Sequence, residues 1–383
     1  MGCALPHGFI SVFIMEGIMT MALHSTIQTI IDKPLSIKAQ EQSLRSQSTD
    51  FPPLYPAIPL INMTRFAGRY MCGAESLKEG RAVSRKRIST VMAGIHTEDE
   101  LATTLAQRIE RYEIATTIAA ENILSIETVS DIHQLLSPEH DSRGIIRQHQ
   151  NWVGGDSAES AKLLPPSPEC LPVLLKEWQQ FTLNCKLDDP FNAILVFSYF
   201  IILHPFSDGN GRLSRLILSR CLSGGLHRPG FVSPALYRLN HPVETQKELS
   251  ATPKATLSGE WSPVLSYWKQ AFTWQRKISL AMTEKVNTTK RLLDNALLLA
   301  SPTTHTKELL TLLFEQPVVT LEYICKRLKI DVLTANTLLE LFCHNNVLKR
   351  FALKRPLGTV VFSCEPIFQL WSELDALLFS DEY

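Results

Sequence analysis

His204-Pro205-Phe206-Ser207-Asp208-Gly209-Asn210-Gly211-Arg212-Leu213-Ser214-Arg215 is the stretch that decides how this chain is read. It follows the apolar run Ala193-Ile194-Leu195-Val196-Phe197-Ser198-Tyr199-Phe200-Ile201-Ile202-Leu203. A bilayer-spanning helix needs about 20 apolar residues, so a buried core helix is expected here. Pro205 lacks an N–H and disfavours the helical conformation of the residue before it, so that helix must end near His204. Leu213, Leu216 and Ile217 then recur at spacings of three and four, with Leu218 widening the apolar face, and a second helix restarts at Asn210 or Gly211. The stretch is helix, tight loop, helix.

The loop has the composition of an anion site. Gly209 and Gly211 flank Asn210; glycine permits positive φ and close approach of a ligand, and N–H groups at a helix N-terminus attract phosphate. Arg212 and Arg215 stand three apart and project from one side of the first turn, where guanidinium groups fork onto phosphate oxygens. Asp208 offers a hard oxygen beside them for a magnesium ion bridging phosphates. His204, at the opposite rim, titrates near neutral pH and can take a proton from an incoming hydroxyl. Taken singly these features are ordinary: a glycine pair is usually a turn, a histidine after an apolar helix usually core, a pair of arginines usually solvated. Their joint occurrence at fixed spacing is what points to chemistry.

The stretch resembles the Fic signature, His-Pro-Phe-x-Asp/Glu-Gly-Asn-Gly-Arg with a second Arg following, and matches it at every fixed position. The resemblance implies an enzyme moving AMP from ATP onto a protein hydroxyl, with diphosphate leaving. It implies His204 as general base, Asp208 as magnesium ligand, and Gly209, Asn210 and Gly211 as the cradle for the α- and β-phosphates. Arg212 would hold the β-phosphate, Arg215 the γ-phosphate, and Phe206 would pack as a buried anchor. Relatives that transfer phosphate carry Lys at the position of Gly211, so glycine favours adenylylation. Phosphorus chemistry of this kind needs in-line positioning and charge neutralisation more than covalent catalysis.

Composition narrows the field. At 383 residues, two or three domains are expected. Lys plus Arg and Asp plus Glu number 38 each, so no global field draws the chain to nucleic acid or anionic lipid. Eight scattered cysteines suit free thiols in a reducing cytosol better than a disulfide framework or zinc site, and a cytoplasmic location follows. The apolar residues near the N-terminus lack a basic leader and are interrupted by Glu16, so neither a signal peptide nor a membrane anchor is expected. Residues 36–59 turn polar and then proline-rich and read as an extended linker or arm.

Toward the site, a helix is expected over 62–79, with Arg81, Arg85, Lys86 and Arg87 following as a solvated loop. Helical spacing runs over 98–122, with Leu101, Leu105, Ile109 and Tyr112 on one stripe, and again over 126–136. His133 on the latter is read as a packing or capping histidine. Many Fic proteins are held off by a glutamate of an inhibitory helix in the pattern Ser/Thr-x-x-x-Glu-Gly/Asn. Glu121 fits literally; Glu79 fits by distance from His204 but has Glu75 where Ser or Thr belongs. Both stay open as the regulatory residue.

Gly144-Ile145-Ile146-Arg147, Asn151-Trp152-Val153-Gly154-Gly155 and Leu164-Pro165-Pro166 resemble the family's flap segments. The resemblance implies a hairpin, with Val153, Gly154 and Leu164, whose edge pairs with the target protein as an added strand. A helix is expected over 171–183, and Asp188-Asp189-Pro190 opens the helix that runs into the motif. Beyond it a tyrosine pair usual in the family is missing, with Glu244-Thr245-Gln246-Lys247-Glu248-Leu249 in its place and Tyr237 as a substitute. Closing helices are expected over 261–272 and 275–299.

Three amphipathic segments at 306–314, 321–328 and 333–343, then strand-like runs at 347–351 and 359–362, resemble a winged helix. DNA binding would use Lys349, Arg350, Lys354 and Arg355 on phosphates. The third segment's polar positions, Asp331, Thr334, Asn336, Thr337 and Glu340, carry no Lys or Arg, so protein contact or a homodimer is favoured over DNA. The expected fold is mainly α, a Fic-type helical core with a short β-hairpin flap and a C-terminal winged helix. The expected division is an N-terminal arm (1–60), a helical segment that is a candidate inhibitor (61–97), a Fic domain (98–290) and a winged helix (300–375). Adenylyl transfer from ATP with Mg2+ leads; removal of AMP by the same site, and a DNA-binding regulator with a vestigial core, are the rivals.

Overall fold

The computed structural model describes residues 29–31, 34–47, 50–72, 83–137, 141–155, 157–224, 228–298, 303–353 and 358–379. Glu79, Arg81, Lys354, Arg355 and the first 28 residues lie outside the described residues. In chain order the elements begin β1 (Thr29–Ile30), α1 (Ile37–Ser46), α2 (Met63–Cys72), α3 (Arg85–Met92), α4 (Glu100–Glu121) and α5 (Ile126–Leu136). There follow β2 (Leu163–Leu164), α6 (Leu171–Asn184), α7 (Pro190–Leu203), α8 (Asn210–Leu222), α9 (Tyr237–Asn240), α10 (Pro242–Ser258) and α11 (Ser262–Leu298). The chain closes with α12 (Thr304–Glu315), β3 (Val318–Val319), α13 (Leu321–Leu328), α14 (Val332–His344), β4 (Lys349–Ala352), β5 (Val360–Ser363) and α15 (Glu365–Leu378). The fold is mainly α, as expected.

Two compact units divide the chain. The first comprises residues up to 55, 111–228 and 232–277. Its axis is α7, all but one of whose residues from Asn192 to Leu203 are buried. Asp189 starts that helix by accepting from the N–H groups of Phe191 and Asn192, and Pro190 occupies the first turn, where its missing N–H costs nothing. Against α7 pack α8, α1 and α6. Trp178 of α6 is fully buried and donates its indole N–H to the Val196 carbonyl at 3.0 Å.

Residues 36–59 are not an extended linker or arm throughout: the first part is helical. Ile37, Gln40 and Leu44, spaced three and four apart, make α1 a helix with one buried face. Gln40 accepts from the Trp261 indole at 2.7 Å, so the inward amide is satisfied rather than stranded. The proline-rich piece after it stays extended but is held by Phe51, whose ring meets Phe191 edge-on at 5.0 Å and lies 5.0 Å from Phe272.

The second unit comprises residues 56–110, 229–231 and 278–383. Its C-terminal part runs helix α12, strand β3, helices α13 and α14, hairpin β4–β5 and helix α15, with sheet order β3-β5-β4 and both pairings antiparallel. The expected solvated loop at Arg85 is instead α3. Arg85 reaches the Asp375 carboxylate of α15 through two bonds, 2.9 and 2.5 Å, and lies 3.7 Å from the Phe66 ring centroid. Arg69 and the Tyr70 hydroxyl also donate to Asp375, at 2.7 and 2.6 Å. Burial works against the ionised carboxyl, but Arg85 and Arg69 outweigh it and hold Asp375 below the usual range. Sequence charge alone cannot tell such an anchored arginine from a solvated one. The two closing helices expected over 261–299 are one continuous helix, α11.

Candidate active site

The site lies in the first unit, in the loop between α7 and α8. His204 caps α7 in the left-handed conformation, φ 46° and ψ 57°, a backbone state rare for a residue with a Cβ. Such strain persists only where surroundings fix it. Arg147 does the fixing: its Nε donates to the His204 carbonyl at 2.9 Å, and its Nη atoms reach the carbonyls of His149 (3.1 Å), Pro166 and Leu203 (3.4 Å). Its own N–H donates to the Pro205 carbonyl at 2.9 Å. Asn151 adds an amide donor to the Phe206 carbonyl at 3.1 Å. This buried guanidinium, with Glu169 as the carboxylate acting on it among the described residues, sits where the α7 carbonyls converge, the end of a helix that favours positive charge. Burial lowers its pKa to about 10, so it stays charged at neutral pH.

The two histidines of the site are held in opposite tautomers. His204 Nδ1 lies 3.2 Å from the Ile201 carbonyl; a carbonyl can only accept, so Nδ1 carries the proton and Nε2 keeps its lone pair. Desolvation, with Arg147 nearby, depresses the His204 pKa to about 4 against the opposing pull of the Ile201 carbonyl and Asp208. The imidazole is therefore neutral at pH 7. His133, buried on α5, accepts the Gly144 N–H on Nδ1 at 2.9 Å and so donates from Nε2 to the Asp208 carbonyl at 2.8 Å. It also stacks on Phe206, with centroids 3.9 Å apart and planes 6° from parallel. As expected, it is a packing histidine, and what it packs is the loop.

Asn210 closes the loop. Its side chain accepts from the Phe206 N–H at 3.0 Å and donates to the Phe206 carbonyl at 2.8 Å, so both ends of the amide are used. What Asn210 can offer a ligand is its backbone. Gly209 needs to be glycine: its φ is 76°, and a Cβ would stand 2.5 Å from Ser137 Oγ and 3.0 Å from His133 Nε2. Gly211 is different. Its φ is not positive, and a Cβ would meet only Arg215 Nη1 at 3.4 Å. The missing side chain keeps the first turn of α8 open. Ser137, fully buried with its Oγ unbonded among the described residues, points at that glycine turn.

Arg212 donates to the Leu136 carbonyl at the end of α5 at 2.9 Å and lies 3.4 Å from Asp208 Oδ2. Arg215 stands one turn further along α8. The Asp208 side chain is 54% exposed, available to a ligand. Among the described residues no group of three or more His, Cys, Asp or Glu converges. A divalent cation here would complete its shell with phosphate oxygens and water, the usual habit of magnesium, and the single carboxylate fits that habit.

The flap residues come together as a hairpin: Val153 and Leu163 exchange backbone bonds at 2.9 and 3.2 Å. Gly154 and Gly155 make the turn, with φ 69° and 90°. Leu164 pairs on its other side with Ile30, in parallel register, a pairing without a signal in the residue pattern. Glu121 is exposed at the end of α4 and forms no ion pair among the described residues. Tyr237 is buried, with His241 stacked on it at 3.7 Å, so its ring belongs to the core rather than to an adenine. The residue that sequence reasoning passed over is Arg147. It stands in a segment that resembles the flap, and its partners are backbone carbonyls, which no side-chain pattern announces.

Residues 123–222 match the Fic/DOC family. The segment is a Fic domain, carrying the His204 motif and the α5–α8 framework around it. The chain is 29% identical over 149 residues to protein adenylyltransferase fic-1 of Caenorhabditis elegans, covering 38% of this chain and 26% of that protein. It is 28% identical over 153 residues to protein adenylyltransferase Fic of Aedes aegypti, covering 38% and 29%. It thus spans about a quarter of the length of these curated relatives. A solved Fic family protein from Desulfovibrio desulfuricans G20 aligns over 94% of this chain and 97% of its own, with a TM-score of 0.45 and 14% identity. No helix among the described residues is long and apolar enough to cross a membrane.

Proposed function

We propose that the protein is an adenylyltransferase that moves AMP from ATP to a Ser, Thr or Tyr hydroxyl of a protein, releasing diphosphate. One observation carries this reading: a neutral imidazole with a free Nε2 lone pair stands across a rigid loop from a helix N-terminus bearing two arginines. A base at one rim and an anion cradle at the other is the arrangement phosphoryl chemistry needs. The Fic match and the names of the relatives support the same conclusion.

In the proposed step His204 Nε2 takes the hydroxyl proton as the oxygen bonds to the α-phosphorus, and the bond from α-phosphorus to the bridging oxygen breaks. The N–H groups of Gly209, Asn210 and Gly211 hold the α- and β-phosphates, Arg212 the β-phosphate and Arg215 the γ-phosphate. Asp208 would hold magnesium, which when bound offsets phosphate charge. Arg147 and Asn151 keep the imidazole aimed, and His133 and Asn210 keep the glycine turn in place. Glu79 or Glu121 is the proposed regulatory residue; Glu121 is exposed and without an ion pair among the described residues, which favours Glu79.

Within the division 1–60, 61–97, 98–290 and 300–375, we read the last as a winged helix that docks protein, including a second copy, rather than DNA. Its α14 exposes Leu333 (77%) and Val332 (58%) and offers no Lys or Arg, leaving Lys349 and Arg350 on β4. Incubation with α-labelled ATP tests the enzymatic reading. Label on protein supports transfer; release from a premodified target without labelling supports the reverse reaction; neither outcome leaves a regulator with a vestigial core.

A further inference from the structure

The edge of the flap is already taken. Leu163 and Leu164 have Val153 on one side and Thr29–Ile30 on the other, in parallel register with Thr29 opposite Leu163 and Ile30 opposite Leu164. The Ile31 N–H extends the ladder, donating to the Leu164 carbonyl at 2.9 Å. The Ile31 side chain is fully buried in a cluster with Leu163 and Ile202, edged by Val153, Ile201 and Leu257. Ile201 and Ile202 form the last turn of α7, and the Ile201 carbonyl is the group that orients His204. The N-terminal strand therefore lies against the turn that sets the proposed base.

We propose that Thr29–Ile31 is a built-in competitor for the acceptor strand: it fills the flap edge until an extended segment of the target displaces it. This rests on the proposed role of the flap as the acceptor-docking edge. The displacing segment would run parallel to Leu163–Leu164 and place an aliphatic side chain where Ile31 sits.

The strand is weak in itself and strong by attachment. A ladder of two or three residues is marginal alone. Just beyond it the chain is bolted down: Leu35 donates to the Thr256 carbonyl at 3.0 Å and accepts from the Tyr199 hydroxyl, and Ile37 N–H donates to Glu177 at 2.8 Å. So short a tether gives a local concentration on the order of millimolar. A strand of ordinary affinity then blocks the edge, yet can leave when a better one arrives. Such a device needs no inhibitory glutamate and holds off acceptor rather than nucleotide.

The test uses the full-length chain without ATP. A fluorescein-labelled peptide with the sequence of residues 27–36 is titrated against wild type, Ile31→Ala, Ile31→Pro and Ile31→Val. The Ala change empties the aliphatic pocket and the Pro change removes the N–H to Leu164. Both should lower the apparent Kd of the peptide by about ten-fold or more, with Val near wild type. Hydrogen exchange on the wild type gives a readout that depends on no variant: saturating peptide should speed exchange at the Ile31 amide. Equal peptide binding by all four proteins, or an Ile31 amide whose exchange ignores the peptide, overturns the proposal. Because neither readout involves AMP transfer, a failure here leaves the adenylyltransferase reading standing, and a failure of that reading leaves these results interpretable.

Discussion

Replacing Arg147 by Met should disable the site without touching a ligand. Three bonds join its guanidinium to the carbonyls of His204, His149 and Pro166, with a weaker contact to Leu203. Charge-assisted bonds contribute about 1.5–3 kcal/mol each, so three give roughly 4.5–9 kcal/mol. Opposing them is the burial that lowers its pKa to about 10, a penalty of about 3 kcal/mol at 1.36 kcal/mol per pKa unit. The balance is on the order of 1–6 kcal/mol, and Met fills much of the volume without replacing any donor. His204 would lose the bond that keeps its left-handed backbone in place. Urea unfolding followed at the first transition should show the loss, and AMP transfer measured at urea-free, fully folded conditions should show kcat falling at least ten-fold with KM for ATP little changed. Arg147→Lys, which keeps the charge but reaches fewer carbonyls, should recover part of both. An Arg147→Met protein with an unaltered urea midpoint and unaltered kcat refutes the claim that this side chain holds the base in position.

Other perturbations have equally definite outcomes. Gly209→Ala forces a Cβ to 2.5 Å from Ser137 Oγ at a φ of 76°, which costs about 1–2 kcal/mol in conformation alone, and ATP affinity measured by calorimetry should collapse. Glu121→Gly should leave self-labelling by ATP at the wild-type rate, since that carboxylate is exposed and unpaired among the described residues, whereas Glu79→Gly should raise it; the opposite pattern reverses the choice of regulatory residue. The pH dependence has a fixed sign: a histidine whose folded pKa is depressed to about 4 is already deprotonated above it. The acid limb of kcat/KM, which reports the free enzyme, should therefore fall well below the 6.5 of an ordinary histidine, and a limb at 6.5 contradicts the desolvation of the His204 imidazole by its surroundings.

How much of this was legible beforehand depended on the range of the interaction. Pro205 and Gly209 punctuate the chain locally, and they placed the ends of α7 and α8 within a residue. The 3.6-residue periodicity of α5 gave its bounds directly. Helix α1 was missed although Ile37, Gln40 and Leu44 carry the right spacing, because a glutamine holds an inward position that only Trp261, more than 200 residues away, explains. Arg85 was misread for the same reason: its partner Asp375 lies 290 residues downstream. The β1–β2 pairing involves two residues on each side, too few for any alternation to show. Within the site, residue types pointed to the chemistry proposed here, but not to the division of labour. Asn210 and His133 turned out to hold the loop, and Arg147, unremarkable in sequence, to hold the proposed base.

The most direct measurement is intact-mass spectrometry of wild type and His204→Ala after incubation with MgATP and an acceptor protein. Attachment of AMP by the wild type and its loss in the alanine variant, with ATP binding retained, is the expected result. Undiminished attachment by His204→Ala would mean that the imidazole across from the glycine turn is not the base.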